Sequence, residues 1–137
     1  MLVLVLGFLR TPEVKTLLNP DFLWTDQLFR VQKEEEKADD KMKQLAAILA
    51  SLKPGERPGE RQLRQLKKSL NSVTICLHFM DAMLANLSSE IQAGLPQVAP
   101  ARRAQLLAYL QEVKTFQLHC GEYHRRLQEV SQRVHHL

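Results

Sequence analysis

Residues 63–91, LRQLKKSLNSVTICLHFMDAMLANLSSEI, decide the fold of this chain. Leu63, Leu66, Leu70, Val73, Leu77, Met80, Leu84, Leu87 and Ile91 recur in alternating steps of three and four, with no polar member. That spacing lays one apolar stripe along one face of a helix. A period of 3.5 residues is the coiled-coil repeat and implies left-handed supercoiling. Ile75, Cys76, Phe79 and Met83 stand beside the stripe, so the apolar face is wider than a two-stranded seam requires. Such a helix must touch more than one neighbour, either within its own bundle or in an outside partner.

Breakers bound this segment on both sides. Lys53-Pro54-Gly55-Glu56-Arg57-Pro58-Gly59 precedes it, and Leu95-Pro96-Gln97-Val98-Ala99-Pro100 follows it, with Gly94 expected just past the helix end in a left-handed cap. Beyond each breaker the same spacing returns. Trp24, Leu28, Val31, Glu35, Ala38, Met42, Leu45, Leu49 and Leu52 form one stripe, with Glu35 as its polar member. Leu106, Tyr109, Val113, Phe116, Cys120, Tyr123, Leu127, Val130, Val134 and Leu137 form another. Asn19-Pro20-Asp21 reads as a helix start: a capping side chain, a proline at the first helical position and an acid near the positive end of the dipole. Thr11-Pro12-Glu13 repeats that pattern within an apolar stretch.

The spacing thus predicts an all-α fold with three long helices near 20–53, 60–94 and 100–136, each about 50 Å long at roughly 1.5 Å per residue. Similar lengths and short connections favour antiparallel neighbours. The expected architecture is an elongated up-down-up bundle of coiled-coil-type helices over 20–137, preceded by a short helical segment within 1–19. Over about 20–137 this layout is similar to spectrin-like three-helix repeats, in helix length and in carrying Trp24 early in the first long helix. The resemblance implies a fold and carries over no functional residue.

Composition agrees. The chain has 137 residues, 45% apolar and 25% charged, with 6% aromatics and five glycines. Leu, Gln, Arg, Lys, Glu and Ala dominate, a helix-forming vocabulary rather than that of a disordered tail or a β domain. The apolar run Leu2–Leu6 with Phe8 and Leu9 is too short to span a bilayer. It also lacks the basic start and small-residue cleavage site of a signal peptide. It is expected to be a buried first helix or a partner-facing segment, and its abrupt start suggests a piece of a longer chain. Two cysteines without disulfide-scaffold spacing fit a reducing compartment, so an intracellular protein, cytoplasmic or nuclear, is expected.

An antiparallel hairpin through 95–100 would set Cys76 roughly opposite His119, bringing Cys76, Cys120 and a histidine near one another, a set zinc could use. Both cysteines fall on or beside apolar stripes, where cysteine behaves as a small hydrophobe, so no metal is expected. No nucleophile, base and oxyanion donor group together, and Pro54-Gly55 and Pro58-Gly59 lack a phosphate-loop pattern. No enzyme activity and no cofactor are expected. The stretch from Lys33 to Lys43 is almost wholly charged and is read as a solvated helical face laced by pairs such as Lys33–Glu36 and Lys37–Asp40, or else as a part projecting beyond the bundle.

The expected function is a non-catalytic scaffold or adaptor, a subunit of a larger helical complex that binds partner helices as a homo- or hetero-oligomer. Its candidate partner-binding residues are Leu2, Leu6, Phe8, Leu9, Phe22, Trp24, Phe29, Phe79 and Met83, because surplus apolar surface must be buried somewhere. A second reading rests on the net charge of +4, concentrated after residue 60. Arg61, Arg64 and Lys68 at one helix start and Arg125, Arg126 and Arg133 near the chain end would share one basic pole, which nucleic-acid phosphate could use. Membrane contact ranks below both, since stripes of coiled-coil spacing are better matched to each other than to lipid. A secreted four-helix signalling protein, with 2–18 as its first helix, is the third reading.

Overall fold

The computed structural model describes residues 20–53 and 55–137. The short N-terminal helix, and Leu2, Leu6, Phe8 and Leu9 within it, lie outside the described residues. Three long helices account for nearly all of the remainder: α1 (Pro20–Ser51), α2 (Glu60–Gly94) and α3 (Pro100–His135), with a 3-10 turn at Leu95–Gln97 between the last two. No strand occurs among the described residues.

Each boundary has a local cause. After α1, a turn closes with the Glu56 N–H donating to the Lys53 carbonyl at 2.9 Å. Its third position, Gly55, has φ +80°, a left-handed conformation that a side chain would strain. α2 starts where the Gln62 side chain reaches back to accept from the Gly59 N–H at 3.3 Å. At the end of α2 the structure departs from expectation: Gly94 is not a left-handed cap but the last helical residue, at φ −81°. Pro96 sits in the first turn of the 3-10 segment, and the Leu95 N–H bonds to the Gln92 carbonyl, so the chain stays right-handed through the bend. Pro100 then opens α3 behind an extended Ala99, in the position where a missing N–H costs nothing.

The three helices pack on one core, and α2 is its centre, contacting α1 and α3 far more than these two contact each other. From α1 come Trp24, Leu28, Val31, Ala38, Met42, Leu45 and Leu49. α2 contributes Leu66, Val73, Leu77, Met80, Leu84, Leu87 and Ile91. Leu106, Leu110, Val113, Cys120, Leu127 and Val134 complete it from α3. These are the stripes read from the sequence, with Leu110 and the buried Ser69 added and Leu137 exposed. Between α1 and α2, Trp24 meets Glu90 and Glu34 meets Cys76, so residue numbers rise on one helix as they fall on the other. Between α1 and α3 they rise together: Asp21 meets Arg102, Glu35 meets His119 and Asp39 meets Tyr123.

The charged middle of α1 lies alongside α3 through those contacts and does not project beyond the bundle. Lys33 pairs with Glu36 at 3.7 Å as expected, but Lys37 turns to Glu34 at 3.1 Å rather than to Asp40. Glu34 is the more sheltered acid, held against α2 beside Cys76, so its pairing is less screened.

Candidate partner-binding surfaces

At one end of the bundle Trp24 ties all three helices together. Its indole is 7% exposed. Its Nε1–H donates to Glu90 of α2 at 3.2 Å, and its ring meets Tyr109 of α3 edge-on at 5.6 Å. The Arg102 guanidinium clasps Asp21 beside it and holds that carboxyl below the usual aspartate range. Trp24 is therefore core and leaves the set of residues free to anchor a partner. Phe22 and Phe29, its companions in sequence, point the other way and are each 54% exposed, with the Lys33 ammonium 5.1 Å from the Phe29 ring.

On α2, Phe79 is 43% exposed and Ile75 is 60% exposed, while Met83 is half-buried against the core. Phe79, Ala82, Met83, Asn86 and Glu90 line a shallow groove with Gln27 and Arg30 of α1. Residues 23, 27, 30, 34, 37 and 41 follow one another at helical spacing, so Leu23, Gln27, Arg30, Glu34, Lys37 and Lys41 lie along one side of α1. The thiol of Cys76, which feels Glu34, Lys37 and Lys41, shows that this side faces α2.

The basic residues gather at the other end of the molecule but not in one patch. Arg61, Arg64 and Lys68 are exposed and form no ion pair among the described residues; at spacings of three, four and seven they continue the row of Ile75 and Phe79. Arg125 is held by Glu122 at 2.5 Å and Glu129 at 2.6 Å, and Arg126 reaches Glu122 at 3.4 Å above the Tyr123 ring. Arg133 lies with Leu49 of α1 and with Leu52 just past its end. Three of the six cations thus stand in solvent on α2, two are tied to acids on α3, and the sixth borders the end of α1.

Several titratable groups pair between the helices. Glu35, the polar member of the first stripe, accepts from His119 at 2.9 Å. His124 meets Asp81 at 2.7 Å and lies edge-on to His78. Cys76 pairs with Glu34 and Cys120 with Asp81, so the two thiols do not come together. The expected pairing of residue 76 with 119 is displaced by more than a helical turn, since His124 faces residues 78 and 81. The 3-10 turn and the wrapping of the helices set that offset, which counting residues from the bend does not capture. Burial pushes the Cys120 thiol up to about 12, with the Asp81 and Glu35 carboxylates adding to it, and burial beside Asp39 likewise pushes Tyr123 up to about 12. A thiol so disposed is a poor nucleophile. Among the described residues no three or more His, Cys, Asp and Glu side chains are placed to hold a metal ion. None of the described helices is long and apolar enough to cross a membrane.

Sequence reasoning missed the exposed Leu23, Leu107 and Leu118, which stand off the stripes, and the Asp21–Arg102 clasp, whose partners are 81 residues apart. No family model, no curated protein and no solved structure matches the chain; the likeness to spectrin-like repeats stays one of layout.

Proposed function

We propose that this chain is a non-catalytic scaffold or adaptor, a subunit of a larger helical assembly in the cytoplasm or nucleus, built as an elongated up-down-up bundle with coiled-coil-type packing. The carrying observation is the pair Ile75 and Phe79. α2 already fills its stripe against α1 and α3, from Leu66 to Ile91, yet these two large apolar side chains remain in solvent on a further face. A helix that needs only two neighbours has no use for that face, and water contact with it is unfavourable. The opposed residue numbering of α1 with α2, and the shared direction of α1 and α3, support the up-down-up order.

The test is the native mass of the tagged chain in extracts of cells that express it. A discrete species well above the 15.8 kDa of the free chain is expected, falling in mass for Ile75→Ser/Phe79→Ser at unchanged helicity. Elution of the wild type as the free chain would overturn the proposal. A second reading, a nucleic-acid-associated helical protein, is favoured by Arg61, Arg64 and Lys68, which have no acidic partner among the described residues. It predicts that nuclease, rather than the Ile75/Phe79 change, collapses the large species, and that raised salt weakens binding steeply.

A further inference from the structure

The shallow groove between Gln27 and Arg30 of α1 and the stretch of α2 from Phe79 to Glu90 lies close to the point where residues 1–19 join α1. The Trp24 indole donates to Glu90 at 3.2 Å, which fixes that end of the groove beside the first turns of α1. From Glu90 back to Phe79 the groove runs about 16 Å at roughly 1.5 Å per residue. Its apolar lining is Phe79, which is 43% exposed, with Ala82 and the half-buried Met83. Its two charged residues are engaged, Glu90 by Trp24 and Arg30 by Asp26 at 3.2 Å. An apolar occupant would therefore leave neither charge without a partner.

We infer that the segment of this same chain before Pro20 folds back into the α1–α2 groove and covers Phe79 and Met83 with its apolar side chains. Residues 1–19 lie outside the described residues, and their sequence carries Leu2, Leu6, Phe8, Leu9, Leu17 and Leu18 against three charged side chains, Arg10, Glu13 and Lys15. Such a run needs an apolar surface to rest on. Asn19 precedes a proline and is steered out of the helical region, which favours a change of direction there over a longer α1. The length suffices: residues 2–19 reach about 27 Å as a helix and further if extended, enough to pass from Pro20 to the Phe79 end of the groove. Being tethered, the segment meets the groove at a local concentration on the order of millimolar, far above that of a free partner helix. The inference goes beyond the scaffold reading and does not rest on it: Ile75 is not among the residues lining the groove and stays open to a partner.

The test is photo-cross-linking within the full chain, with p-benzoylphenylalanine in place of Ala82, an exposed position of the groove. A mixture of isotopically light and heavy protein is irradiated, and mass spectrometry of the digest identifies each linked pair. Links from position 82 to residues 2–18 of the same chain are expected. None is expected from the same probe at Leu118, which is 75% exposed on α3. Leu6→Asp/Leu9→Asp should lower the yield at position 82 about tenfold, because carboxylates resist burial against Phe79 and Met83. Phe79→Ser should lower it likewise from the groove side, at a site whose exposure keeps the bundle folded, as circular dichroism verifies. No link to residues 2–18, or a yield unchanged in both variants, would overturn the inference. Links only between light and heavy chains would replace it with a second copy as the occupant. Capture of residues 2–18 by the probe at Phe29 but not at Ala82 would move the segment to the Phe22 and Phe29 surface. The scaffold reading is judged separately, by native mass in extracts, so either can fail alone.

Discussion

The α1–α2 and α1–α3 contacts are built differently. Leu66, Val73, Leu77, Met80, Leu84, Leu87 and Ile91 of α2 are fully buried, and their match to α1 is a continuous apolar seam. Where α1 meets α3, the half-buried Tyr109, Phe116 and Tyr123 alternate with polar cross-links: Asp21–Arg102, Glu35–His119 and Asp39–Tyr123. The apolar seam stabilises the bundle in proportion to the area it removes from water, but a heptad stripe matches its partner again after a shift of seven residues. The polar pairs are partly exposed and individually weak, yet each is satisfied in one alignment only. The central seam therefore supplies stability, and the α1–α3 side supplies alignment.

That division breaks most visibly at Leu77. Leu77→Asp places a carboxylate in the fully buried seam without a partner, and a loss of more than about 4 kcal/mol is expected, enough to abolish cooperative melting by circular dichroism. A variant that melts like wild type would mean that the seam is not the source of stability. Trp24→Ala removes a side chain that touches both neighbouring helices at the first end of the bundle. A loss of about 3 kcal/mol is expected in urea unfolding, while the stretch near Leu45 keeps its hydrogen-exchange protection.

Alkaline pH acts on the α1–α3 side. The folded chain holds the Cys120 thiol and the Tyr123 phenol protonated up to about 12, above their ordinary values of 9.0 and 10.0. Their contribution is complete below about pH 9 and is lost as pH rises toward 12, because the unfolded chain releases those protons first. Unfolding free energy should fall by about 1 kcal/mol or more between about pH 8 and 10.5, and Cys120→Ala should flatten that slope. Equal slopes for the two proteins would place the thiol outside the core.

The smallest effect is expected at Asp21. Arg102 holds its carboxyl below the aspartate range, so its contribution is present above the ordinary aspartate value and fades as pH falls through the lowered one. Asp21→Asn should cost about 1 kcal/mol or less at neutral pH and make stability less sensitive to acid. If it costs as much as Trp24→Ala, the polar side contributes stability as well as alignment.

The helix ends and the buried stripes were legible in the sequence because both are local. Breakers such as Pro54-Gly55 and Pro96 act within a few residues, and steps of three and four keep Leu63 to Ile91 on one face whatever that face meets. The excess apolar width of α2 was legible on the same grounds. What the chain could not show in one dimension was which neighbour each face meets. Trp24 and Phe22 lie two residues apart and share a chemistry, yet one is core and the other is in solvent. The same limit hid the division of the basic residues, with Arg61, Arg64 and Lys68 in solvent on α2 and Arg125 and Arg126 tied to acids on α3. It also hid Gly94, whose right-handed conformation follows from the bend at Pro96. Periodicity is a property of one helix, and the sequence determined that much alone. The offsets between helices, and with them the clasp of Asp21 by Arg102, arise from packing three such helices together, and only the tertiary structure decided them.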